Sequence, residues 1–163
     1  MISDIKIPVQ IKKVRNPDGT EGLKATVPMN IIFEKKFNAD WLTQELAKFE
    51  KRYFSLLNEL KRLLAKLRSF KQKNGRVLLY WNIGDRILEF IKENEKSPLF
   101  LEGLTKSLRR DLGISSKMIL RCKKFRSLYP EIKRIDPEKS FHSYVASFEK
   151  GYISRKKMGR KTK

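Results

Sequence analysis

Nucleophiles and proton carriers are scarce in this sequence, which narrows the chemistry open to it. The one histidine, His142, cannot build an imidazole-based metal cluster or a His-paired triad within one chain. The one cysteine, Cys122, rules out an internal disulfide and a multi-cysteine zinc site. Cys122 falls on the inward side of a helical pattern, so a buried, inert thiol is expected. Flanking Arg121 and Lys123 would lower its pKa only if it were exposed. No glycine-rich loop has the spacing that cradles phosphates, and no pair of acids stands out as general acid and base. Asp136-Pro137-Glu138-Lys139 superficially matches a nuclease signature, but it lacks the separated Asp and Glu-x-Lys that hold a metal. The expectation is a non-enzyme with no cofactor and no metal.

The chain is rich in positive charge. Lys and Arg total 38 against 18 Asp and Glu, a formal net charge of +20 over 163 residues. Such a balance argues about partners and not about fold. It favours polyanions: DNA first, RNA next, and an anionic membrane surface least.

The charge is most one-sided between Leu104 and Pro130. Lys106, Arg109, Arg110, Lys117, Arg121, Lys123, Lys124 and Arg126 stand there against a single interior acid, Asp111. A face that served solubility alone would usually mix its signs. Leu104, Leu108 and Leu112 recur at helical spacing, and Gly113 follows where a chain leaving a helix often needs a positive φ. Ser115 then stands where its oxygen can cap a second helix. Along that helix Ile119, Cys122 and Phe125 face inward, while Lys117, Leu120, Arg121 and Lys124 fall on the other side. A basic second helix behind a glycine turn is the layout of a helix-turn-helix, whose second helix enters the DNA major groove. On this reading Lys117, Arg121 and Lys124 face the groove, with Ser116 and Leu120 beside them. Arg109, Arg110 and Arg126 hold phosphates, together with Arg155, Lys156 and Lys157 of the tail.

Other elements must position that pair. Ile5, Ile7, Val9 and Ile11 alternate with polar residues, the period of a half-buried strand, with Pro8 marking an edge or a break. Asn16-Pro17-Asp18-Gly19 is a turn, and Leu23 to Ile32 supplies a second run, so a β-hairpin is predicted. So small a sheet must pack on the helices or pair with another chain. From Asp40 to about Lys73 the spacing predicts a long helix, capped by Asn38 or Asp40. Its seam, from Leu42 to Phe70, keeps heptad spacing, and Leu57 and Leu64 widen it. Two outcomes compete: a coiled-coil homodimer through Leu42–Phe70, or packing on Val77–Asn94 of the same chain, which the wider stripe favours. Arg76 to Glu95 predicts a further helix, with Gly84 in its middle at a cost of about 1 kcal/mol relative to alanine. A close helix–helix approach is the simplest reason to accept it. Ser140 to Gly151 predicts a last short helix with Phe141, Tyr144, Val145 and Phe148 on one face.

The runs NGRVLLYWNIGDRILEF (74–90) and LTKSLRRDLGISSKMILRCKKFRSLYPE (104–131) resemble the N-terminal helical domain of the YhcG-like PD-(D/E)XK nuclease family. The likeness rests on Asn74, Leu79, Tyr80, Trp81, Ile83, Gly84, Leu104, Asp111, Leu112, Gly113, Tyr129 and Pro130. It covers roughly residues 45 to 131 and implies a DNA-associated, helix-turn-helix-bearing module. The family's nuclease domain would have to follow residue 131, where only 32 residues remain in this sequence.

The expected fold is mainly α: a helical bundle with a helix-turn-helix, preceded by a short β-hairpin. Its parts are a β-hairpin arm (1–37), a helical domain (38–150) with the helix-turn-helix at 102–129, and a basic disordered tail (151–163). No run of 18 apolar residues and no signal-peptide layout is present, so a cytoplasmic protein is expected. The expected function is duplex DNA binding without catalysis. The alternatives are an adaptor or assembly subunit with a nuclease partner, and an RNA-binding protein.

Overall fold

The structure, a computed structural model, describes residues 7–28, 38–72 and 74–149. Strand β1 (Ile7–Arg15) buries Ile7, Val9 and Ile11 on one face, as the alternation predicts. The Asn16–Thr20 turn closes with Gly19 at φ +88° and its N–H donating to the Asn16 carbonyl at 2.9 Å. Strand β2 (Glu21–Thr26) returns antiparallel, with Ile11 opposite Ala25.

The predicted hairpin gains a third strand. Leu99–Leu101, for which the sequence predicts no strand, forms β3 and pairs parallel to β1, giving the order β2-β1-β3. Three apolar residues are too few for a period-two signal to emerge. Pro8 sits comfortably inside β1 because the two ladders cover different stretches. Ile7 N–H and the Val9 carbonyl bond toward the β3 side, to the Pro98 carbonyl and Glu102 N–H. The missing N–H of Pro8 therefore faces the opposite side, where pairing with β2 begins only at Gln10.

Helix α1 (Ala39–Ser69) starts at Asn38, whose side chain accepts from the N–H groups of Asp40 and Trp41. Its seam is buried within the chain: Leu42, Phe49, Tyr53, Leu56, Leu57, Leu60, Leu64 and Leu67 all lie in the interior. Within the chain the seam packs intramolecularly, as its wider stripe favoured. Helix α2 (Arg76–Asn94) lies against it, with Phe90 edge-on to Phe49 and Tyr53 at 6.2 and 6.0 Å. The hairpin joins the same core through Ile7, Val9, Ile11, Ala25 and Val27. Glu50 of α1 accepts from the Ala25 N–H at 2.9 Å, so an α1 side chain occupies a backbone donor of β2.

Helices α3 (Leu104–Leu112) and α4 (Ser116–Leu128) follow β3 directly. Residues 141–149 form the closing helix α5. Between α4 and α5, a short 3-10 turn at Ile132–Arg134 leads to the buried Ile135. Val77, Trp81, Phe125, Ile135 and Tyr144 build a second small core there. The Trp81 indole N–H donates to the Tyr129 carbonyl at 2.7 Å, tying α2 to the end of α4. Among the described residues no helix is long and apolar enough to cross a membrane. Residues 29–37 of the predicted arm and the basic tail, with Arg155, Lys156 and Lys157, lie outside the described residues.

Candidate nucleic-acid interface

The turn between α3 and α4 is built as its residues predict. Gly113 ends α3 at φ +67°, and its N–H donates to the Arg109 carbonyl. The Ser115 hydroxyl oxygen accepts from the Met118 N–H at 3.1 Å and starts α4. Ile119, Cys122 and Phe125 are fully buried on the inner face of α4. Burial pushes the Cys122 thiol up to about 12, so it holds its proton and packs as an apolar group.

Opposite them runs an exposed row. Lys117 and Lys124 are open to solvent, and Leu120 is 53% exposed between them. Spacings of three and four put the row on one side of the helix. The Lys124 ammonium lies 5.4 Å over the Phe148 ring of α5, which steadies it without neutralising it. Ser116 is half-buried at the first turn.

Two of the predicted contact residues are engaged inside the molecule. Arg121 makes a bidentate pair with Glu149 of α5, at 2.9 and 2.8 Å, and its side chain is only 28% exposed. Arg126 bonds Asp85 of α2 at 2.8 Å and lies 5.0 Å over the Trp81 ring. Arg126, expected to hold a phosphate, thereby clasps α4 to α2. The sequence hid both partners because each acid stands on a different helix, 41 and 28 residues away. Glu149 is the last acid in the sequence and stands just ahead of a basic stretch, the one available hint.

On α3, Arg109 is exposed. Arg110 is half-exposed and grips the Asp111 carboxylate at 2.8 and 3.0 Å. The Asp111 side chain is 1% exposed and also accepts from the Tyr53 hydroxyl of α1. Burial alone would raise the Asp111 pKa, but bonds from Arg110 and Tyr53 and the charges of Arg110 and Lys13 outweigh it, so it lies below the usual range. Burial and the same carboxylate hold the Tyr53 phenol protonated, as a donor. The network fixes α3 to α1 and aims the guanidinium of Arg110.

A groove of about 760 Å³ runs between β1 and α3. Lys12, Lys106, Arg109 and Arg110 line it, against one acid, Glu102. Lys12 and Lys106 were not among the predicted contact residues, because the groove exists only once β3 brings β1 beside the start of α3. Asp136, part of the discarded nuclease-like string, accepts from the Glu138 N–H at 3.0 Å and so closes a turn. Among the described residues no group of three metal-binding side chains converges.

No protein-family model, curated protein or solved structure matches this chain. The functional reading is therefore carried by the geometry of α3, α4 and the groove beside them.

Proposed function

We propose that the chain is a non-catalytic DNA-binding module that lays α4 into the groove of a duplex. One observation carries the reading: the solvent-open Lys117–Leu120–Lys124 row, backed by the wholly buried Ile119, Cys122 and Phe125. A helix so anchored presents its cations at fixed positions, which is what base-edge and phosphate contacts need. Leu120 supplies an apolar contact of the kind that reads a thymine methyl. Arg109, the free side of Arg110, and the Lys12–Lys106 groove serve as phosphate contacts. Arg121 joins the row when Glu149 lets go of it.

The excess of positive charge supports a polyanionic partner, and the resemblance of residues 45 to 131 to the YhcG-like N-terminal domain supports DNA in particular. RNA is less favoured because the rings of Phe125, Tyr129 and Tyr144 pack edge-on or tilted against one another in the second core, where they offer no row of open faces to successive bases.

The test is fluorescence anisotropy with labelled duplex DNA. Lys117→Glu combined with Lys124→Glu weakens binding by about tenfold or more. The charge-matched pair Lys61→Glu and Lys66→Glu, on the outer face of α1, weakens it much less. Equal losses in the two variants would reduce the row to surplus charge and remove the groove assignment.

A further inference from the structure

A second concavity lies where the first turn of α4 meets the starts of α2 and α5, and the duplex reading makes no use of its depth. Its volume is about 640 Å³, within the range of small-ligand sites. One wall is apolar, formed by Tyr80, Met118 and Phe141. The Tyr80 and Phe141 rings are stacked on each other, 4.1 Å apart and 9° from parallel, which makes this wall stiff. The rim holds Arg76, Lys117 and His142, all exposed.

Arg76 and His142 are tied to no acid among the described residues. Arg121 also lines the cavity, with its charge matched by Glu149, and Glu138 is the one acid on the wall. The three rim residues come from the first turns of three different helices, so the helix dipoles add to the same positive field. A stiff, largely aromatic wall beneath a rim of donors suits a ligand with an apolar ring at one end and an anionic group at the other. Bare phosphate would leave the wall uncovered, and a neutral ring would leave the rim unanswered.

We infer that this cavity takes a nucleotide, its phosphate among Arg76, Lys117 and His142 and its base against Tyr80, Met118 and Phe141. The assignment rests on the nucleic-acid reading for its ligand class. A free mononucleotide and the unpaired terminal nucleotide of a duplex lying on α4 offer the same chemistry.

The full chain is titrated by calorimetry with adenosine monophosphate, adenosine and inorganic phosphate. The same chain is then tested by anisotropy on a blunt duplex and on one carrying a 5′-phosphorylated single-nucleotide overhang. The monophosphate saturates and binds tighter than either fragment. Arg76→Gln and His142→Ala each weaken it by about tenfold, with thermal unfolding unchanged, and leave blunt-duplex affinity within about twofold. Tighter binding of the overhang duplex supports a nucleic-acid end as the ligand, and equal binding of the two duplexes supports a free nucleotide. Absence of saturable monophosphate binding, or variants that bind it as the wild type does, overturns the assignment. Lys124→Glu separates the two readings, because it weakens the duplex and spares the monophosphate. A wild-type chain that binds the monophosphate but no duplex overturns the groove reading alone.

Discussion

Gly84 lies where α2 and α4 press together. A Cβ built there would stand 2.1 Å from the Cys122 carbonyl oxygen and 2.7 Å from its carbonyl carbon. Both are backbone atoms and cannot swing aside. Alanine would gain about 1 kcal/mol of helix propensity in an open helix, yet here it must force two helices apart. Gly84→Ala is therefore expected to lower stability by about 2 kcal/mol or more in urea unfolding, against the sign that propensity gives. Asp111 carries a second residue-scale prediction, this one dependent on pH. Its folded pKa lies below the unfolded value of about 3.9. The stabilisation is therefore present above that value and is lost as the pH falls through the folded pKa. Asp111→Asn should cost about 1–3 kcal/mol at neutral pH, since Arg110 is half in water and the Tyr53 hydroxyl loses an ionised acceptor. The gap between wild type and variant should narrow below about pH 4; a gap that stays constant in acid would remove the carboxylate from the account.

At the scale of elements, α5 restrains the basic face of α4 by a bidentate contact to Arg121. Glu149 holds Arg121 away from the solvent row while leaving Lys117 and Lys124 open. Glu149→Gln is expected to raise duplex affinity roughly two- to fivefold at low salt. Glu21→Gln, the same change in charge on exposed β2, provides the comparison. If both raise affinity equally, only net charge is at work. The elements themselves were largely legible in the sequence. Asn38, Gly113 and Ser115 mark real helix ends because capping depends on near neighbours. The inward face of α4 followed from spacing, and the cost accepted at Gly84 pointed correctly to a close helix approach. What escaped was the set of contacts between distant segments. Strand β3 takes its identity from β1, some ninety residues earlier in the chain. The pairing of Arg121 and Arg126 with Glu149 and Asp85 depends on which helices lie side by side. The seam of α1, by contrast, pointed through its width to Val77–Asn94, and α2 does lie against it.

For the whole molecule, a formal charge of +20 makes some attraction to any polyanion unavoidable, so affinity alone says little. The informative quantity is how affinity changes with salt. Lys12, Lys106, Arg109, Arg110, Lys117 and Lys124 amount to about six phosphate-directed cations, for which log K against log salt should fall with a slope of about −5 on B-DNA. Lys124→Glu should make that slope shallower by about one. A slope near −1 would mean that few of these side chains meet phosphates and that the basic surface acts as a diffuse cloud.

The parallel pairing of Ile7–Val9 with Leu99–Leu101 has a consequence for how the chain is made. During vectorial synthesis the first strand emerges early and finds its inner ladder only after residue 101 has left the ribosome. Until then Ile7, Val9 and Ile11 lack part of their cover, and a nascent chain halted before that point should be readily captured by chaperones. The segment that completes the sheet is followed within three residues by the start of α3. Closing the sheet and setting the angle of the α3–α4 pair are thus one late event, and ribosome-bound intermediates should acquire both together.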